Sequence, residues 1–313
     1  METIRIPNDA TYSPIALTDI ALTGPLVSRL LLGSTLPGRA LQIAALTVYA
    51  GSAFQDYIER RGVRRIDFRT EFGADPLRPR ALPLAERRRE ALLLAERLND
   101  GYTADVPRLS ELAPIVDRHL TDYIASITDQ RVETSVELRE FSLARFIFPF
   151  ALGAADILSG DISIFHDTGV FQPHVLTHEF CHRKGYWREL DAQVLSYLAL
   201  TASDVDVLVQ AALCERLYRD VHVLAGENRA AFEEEVRTLR LRGELEDPFL
   251  RLRPDPGAMG PIADAMRTLY DVRMRLTGQN GLSDYDVGFT NFLYAFETSD
   301  SARAMPPVRG AIR

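Results

Sequence analysis

Four of the chain's six histidines fall between residues 166 and 182, and two of them frame the pentapeptide His178-Glu179-Phe180-Cys181-His182. Residues four apart share a face of a helix. His178 and His182 can therefore offer two imidazoles to one Zn²⁺, while Glu179 leans over the metal's water as a general base. That arrangement is the geometry of a zinc hydrolase. Pro173 suits the first turn of such a helix, and Gly185 stands where a left-handed cap would end it.

A catalytic zinc needs a third protein ligand and an open position. Arg188 stands where the signature H-E-x-x-H-x-x-G-x-x-H would supply a third histidine, which excludes that class. Glu189 is the next residue. On an unbroken helix it would lie about 10 Å beyond His182, out of reach of the same ion, so a turn at Gly185 is required. If a second helix starts near Trp187, Glu189 falls in its first turn. Glu189-Leu190-Asp191-Ala192 then fits the E-x-x-A pattern of glutamate-type zinc peptidases, with the small alanine letting two helices approach. Asp191 is the competing ligand, or else a partner that orients a histidine. His174 extends the ladder of His178 and His182 by one turn, about 6 Å further along the axis, which suits a cleft-lining or supporting role. Two imidazoles and one carboxylate favour Zn²⁺, although Co²⁺ or Mn²⁺ would fit the same donors.

The stretch HEFCHRKGYWRELDAQVLSYLA resembles the signature of an uncharacterised bacterial family of zinc-dependent peptidase type, H-E-x-x-H-x-x-G-x-x-x-E-x-E-A-N followed by a leucine- and tyrosine-rich helix. LYDVRMRLTGQNGLSDYDVGFTNFLYA, residues 269–295, resembles the family's C-terminal stretch, so the likeness spans roughly residues 140–297. Asp191 stands in place of the family's second glutamate and Gln193 in place of its asparagine. The resemblance implies a zincin-like metallopeptidase acting on peptide or protein substrates, with zinc on His178, His182 and Glu189 and with Glu179 as base. Tyr285, in the matching GLSDYDV segment, is the first candidate to stabilise the oxyanion, with His222 and His174 behind it.

The elements that must position these residues read as mainly α with a small β-sheet, an α+β fold with a helical C-terminal part. Helical spacing covers residues 84–100, 108–130, 187–201, 203–225, 228–242, 261–277 and 284–297. Short β-rich runs suggest strands at about 145–150 and 161–166, around a turn at Gly153. Residues 60–89, RRGVRRIDFRTEFGADPLRPRALPLAERRR, read as an extended Arg- and Pro-rich connector. The expected organisation is an apolar helical segment 1–59, the connector 60–89, the metallopeptidase domain 90–300 and a tail 301–313.

A net charge of -8 argues against nucleic-acid partners, and two cysteines are too few for a disulfide framework. Cys181 reads as a small buried hydrophobe, and Glu233-Glu234-Glu235 as a solvated helix face. The opening residues lack the basic and apolar regions of a secretory signal, so a cytoplasmic or membrane-associated location is expected. Between Pro14 and Tyr57 the chain is unusually apolar, and Ala40 to Gln55 carries no charge. The first part is interrupted by Asp19, Gly24, Pro25 and Arg29, and the second falls short of the roughly 20 residues of a bilayer span. Residues 14–57 therefore read as buried or interface-lying helices, with a membrane surface or membrane-protein partner as the candidate contact. The family resembled carries membrane-spanning helices there, and this chain has a shortened version. The alternative function is a catalytically silent zincin-like binding or scaffolding subunit of a membrane-associated assembly.

Overall fold

The computed structural model describes residues 1–7, 27, 29–32, 35–139, 151–156, 159–226, 228–252 and 260–304. The fold is mainly helical with two small two-stranded sheets. Its centre is formed by α4 (Leu109–Thr128), α5 (Gln172–Arg183), α6 (Glu189–Thr201) and α7 (Asp206–Ala225), each packed against its neighbours. Every residue of α5 is buried, and all of α6 except Asp191. Helices with so little solvated surface belong at the middle of a core. Leu176, Phe180, Leu195, Leu198 and Leu208 form that core together with Phe289, Phe292 and Phe296 of α11 (Val287–Glu297).

A second apolar cluster joins α3 (Leu84–Asp100) and α7 to α8 (Arg229–Thr238) and α9 (Gly243–Arg251), through Leu94, Leu98, Leu217, Val236 and Phe249. The helix expected over 228–242 ends early, at Thr238, and α9 starts just beyond the expected range. Arg240 between them takes φ 52°, a left-handed conformation that breaks the first helix.

The Arg- and Pro-rich stretch is not an extended connector. α2 (Phe68–Phe72) forms inside it, with the Asp67 carboxylate accepting from Arg69 and Thr70 N–H at one end and Gly73 at φ 65° at the other. Phe68 and Phe72 pack edge-on against Phe292, at ring separations of 5.7 and 6.1 Å. α3 also starts within the stretch, at Leu84. Arg87 is buried because its guanidinium donates to Asp220 and Thr290 in the core. Arginine-rich composition marks solvent only when no buried carboxylate waits for the charge.

β1 (Glu2–Arg5) pairs in parallel with β2 (Gln130–Glu133), Ile4 opposite Val132. β3 (Gly153–Ala155) pairs antiparallel with β4 (Ile162–Ile164), so Gly153 lies in a strand where a turn was expected. The strand expected at 145–150 lies outside the described residues, as do residues 14–26 and the tail from residue 305.

The charge-free run from Ala40 to Gln55 lies within α1 (Leu36–Arg61). Among the run's described side chains Leu41, Ile43, Leu46 and Phe54 are exposed, while further on in α1 Asp56 and Arg60 are buried against the body. No helix among the described residues is long and apolar enough to cross a membrane.

Candidate metal centre

α5 ends as the ligand spacing demands. Gly185 takes φ 100°, where a Cβ is strained, while its N–H reaches the His182 carbonyl at 2.9 Å and the Tyr186 N–H reaches the Cys181 carbonyl at 3.0 Å. The chain reverses, and Glu189 becomes the first residue of α6. Its N–H donates to Gln279 Oε1 at 2.9 Å, so the GQNG turn after α10 (Gly260–Leu276) holds the start of the helix that carries it.

The turn brings His178, His182 and Glu189 into one buried group that could hold a metal ion. His178 Nε2 lies 3.1 Å from His182 Nε2 and 3.1 Å from Glu189 Oε2, and His182 Nε2 lies 3.3 Å from the same oxygen. Zinc binds such atoms at about 2.0–2.1 Å, which puts tetrahedral ligands about 3.3 Å apart, so the triangle has the size of one face of a tetrahedral site.

Hydrogen bonding also fixes which atoms face the centre. Glu215 can only accept, and it takes a bond from Gln193 Nε2 at 2.7 Å. Gln193 Oε1 is therefore the acceptor for His178 Nδ1–H at 2.9 Å. His182 Nδ1 donates to the Tyr186 carbonyl at 2.8 Å. Both rings carry their proton on Nδ1, which leaves two Nε2 lone pairs and a carboxylate oxygen facing one another. Three such donors within 3.3 Å require a positive charge between them.

Without metal, that charge is a proton on His182. Burial works to lower its pKa, but the Glu189 and Glu179 carboxylates more than offset this and raise it to about 9. Glu189 shows the other side of the same pairing, burial raising its pKa and His182 and His178 carrying it well below the usual carboxylate range. A bound cation takes the place of that proton, so the donor set fits a metal.

The Gln193 side chain joins the centre to the core, and that gives a test. Gln193→Leu keeps the volume and removes the bond that orients His178, so zinc affinity is expected to fall about 10- to 100-fold while the fold persists. Competition against a chelator of known affinity measures this. An unchanged affinity would show that something else orients His178.

Glu179 is buried beside the cluster, and burial raises its pKa. A Cβ on Gly153 would meet Glu179 Oε1 at 3.0 Å, so the glycine in β3 is what leaves space for this carboxylate. Tyr285 stacks on the His178 ring at 6.0 Å. Trp187 stacks parallel to His182, with ring centroids 5.7 Å apart and 4° between the planes, and Arg60 of α1 sits over the Trp187 ring at 5.8 Å. Tyr270 of α10 donates its hydroxyl to Glu189 Oε1, leaving Oε2 for the imidazoles.

His178, Glu179, Tyr270 and Tyr285 line a cavity of about 230 Å³. His174 lines it too, outside the three-ligand group, and burial pushes its pKa down to about 4, which keeps it neutral. Asp191 is not one of the three: burial lifts its pKa to about 6, and its charged neighbours include Arg188, Asp284 and His182. His222 is not a cavity residue. It pairs with Asp286 at 3.4 Å and stacks on Tyr218. Sequence reasoning missed Tyr270, Gln279 and the buried pair Glu215–Arg219, since their contacts join residues 22 to 90 positions apart. Gln193 carried a signal, because it stands one turn after Glu189.

No protein-family model matches the chain, and neither a curated protein nor a solved structure matches it at a significant level.

Proposed function

We propose that the chain is a zinc-dependent metallopeptidase of the glutamate-ligand, zincin-like class, hydrolysing peptide bonds in peptide or protein substrates. The observation that carries this reading is the convergence of His178 Nε2, His182 Nε2 and Glu189 Oε2 within 3.3 Å, beside a buried Glu179 on the wall of a cavity. Zinc bound by these three residues would supply a Lewis acid and an acidified water at neutral pH. Glu179 accepts the proton of the attacking water and delivers it to the leaving amine. Burial holds its pKa above the ordinary value, which matches a group that must both take and release a proton. Tyr285, stacked over His178, offers its hydroxyl to the oxygen that gains charge, and Tyr270 holds Glu189 in place.

Elemental analysis of the purified chain tests this directly. About one zinc per chain is expected in wild type, with loss in His182→Ala and Glu189→Ala, and wild type should cleave members of a peptide library. Absence of zinc after reconstitution sinks the hydrolase reading.

The exposed apolar side chains of α1 support a second reading, in which this helix docks on a membrane surface or a membrane protein and the body is a silent scaffolding subunit. On that reading Glu179→Gln changes nothing measurable.

A further inference from the structure

The cavity has a second polar end, built around Arg219 of α7. Its side chain is 8% exposed, and it is held from two directions: Nε donates to Glu215 Oε1 at 2.6 Å and Nη1 to Asp286 Oδ1 at 2.9 Å. The guanidinium also lies 5.8 Å from the Tyr285 ring, which itself stacks on the metal-ligand candidate His178. A guanidinium has five N–H donors in a fixed plane. The outer edge of this one, Nη2, has no hydrogen-bond partner among the described residues and is not sealed in, and Arg219 lines the cavity.

We propose that Arg219 is a substrate-binding residue whose Nη2 edge donates to a neutral carbonyl oxygen of the peptide beside the scissile bond, so that the site takes amide-continued chains and rejects a free carboxylate there. This rests on the peptidase reading and adds the substrate class, an endopeptidase substrate and not a C-terminal residue.

Charge decides between the two acceptors. A site that captures a carboxylate needs an uncompensated cation, whereas Arg219 already faces two carboxylates, Glu215 and Asp286. The group of three is net negative. At the rim Arg267 and Asp264, both exposed on α10, bring one charge of each sign. A neutral carbonyl meets a directed donor at no such cost, and a hydrogen bond from a charged group to it is worth about 10- to 100-fold in affinity. Ala151, Leu152, Val175, Leu252 and Leu282 give the cavity apolar walls. A volume of about 230 Å³ lies below that of pockets for drug-sized ligands, so it receives one side chain with its adjoining amide.

The test compares two N-acetylated peptides that differ only at the end, one a C-terminal amide and the other a free acid. Their binding to Glu179→Gln protein is measured by calorimetry, with and without zinc, because slowed turnover in this variant leaves the peptide intact during the titration. The amide is expected to bind about 10-fold or more tighter than the acid in both states. Arg219→Lys, which loses the planar fork, should weaken the amide about 10- to 100-fold and shrink the difference. Zinc content of that variant should match its parent, which separates lost grip from a disturbed metal site.

An acid that binds as well as the amide overturns the proposal on a protein with every wild-type contact around Arg219, whatever becomes of the Lys variant. So does failure to bind either peptide. Absence of zinc with the amide preference intact would defeat the peptidase reading and leave the role of Arg219 standing.

Discussion

Glu179→Gln protein is expected to retain about one zinc per chain and to cleave peptides about 10²- to 10⁴-fold more slowly than wild type. Glutamine has nearly the shape of glutamate, so the contact with Gly153 and the packing of α5 persist. What disappears is the ability to accept a proton. The three converging donors do not include Glu179, so metal content should not follow activity. Measuring both on one preparation is decisive: slowed turnover with metal lost would make Glu179 a support of the metal site, and unchanged turnover would place the base elsewhere.

His178, Glu179 and His182 were legible because helical periodicity alone puts them together, and Gly185 announced the reversal that brings in Glu189. The helices α3 to α7 were legible for the same reason, their signals being local. Composition misled where a charged residue found a partner far along the chain. Arg87, 133 positions from Asp220, turned an expected connector into core, and Arg219 became part of the cavity wall through Asp286, 67 positions on. Short strands such as Gly153–Ala155 carry too few residues to show an alternation, and pairing with β4 is what makes them strands. The Glu189–Asp191 choice needed the true start of α6, since each residue of shift turns a side chain by about 100° around the helix axis.

Zinc-free protein is expected to lose stability as pH rises from about 6.5 to 9, while the stabilisation added by zinc grows over the same window. The sign follows from His182, whose pKa in the folded chain, about 9, exceeds the ordinary value of 6.5. The folded state then holds a proton that the unfolded state releases. Its contribution is complete below pH 6.5 and lost as pH climbs through 9, a difference of about 3 kcal/mol. Zinc competes with that same proton, so at neutral pH each ion bound should release about one proton, and affinity should rise up to tenfold per pH step until pH 9 is passed. Thermal denaturation with and without zinc across this range, with proton release read from calorimetry in buffers of different ionisation enthalpy, checks both parts. A zinc increment that is flat from pH 6.5 to 9 would show that no proton occupies the centre.

The chain has one tryptophan, and it stacks parallel to the imidazole that would exchange a proton for a metal. A cationic imidazole in contact with an excited indole drains its emission, and the neutral metal-bound ring does so far less. Light from Trp187 would therefore gauge metal occupancy, readable in intact protein without dye, label or substrate. Arg60, which belongs to the N-terminal helix, lies over the same indole, so a partner that moves this helix should also change the colour and intensity of that light.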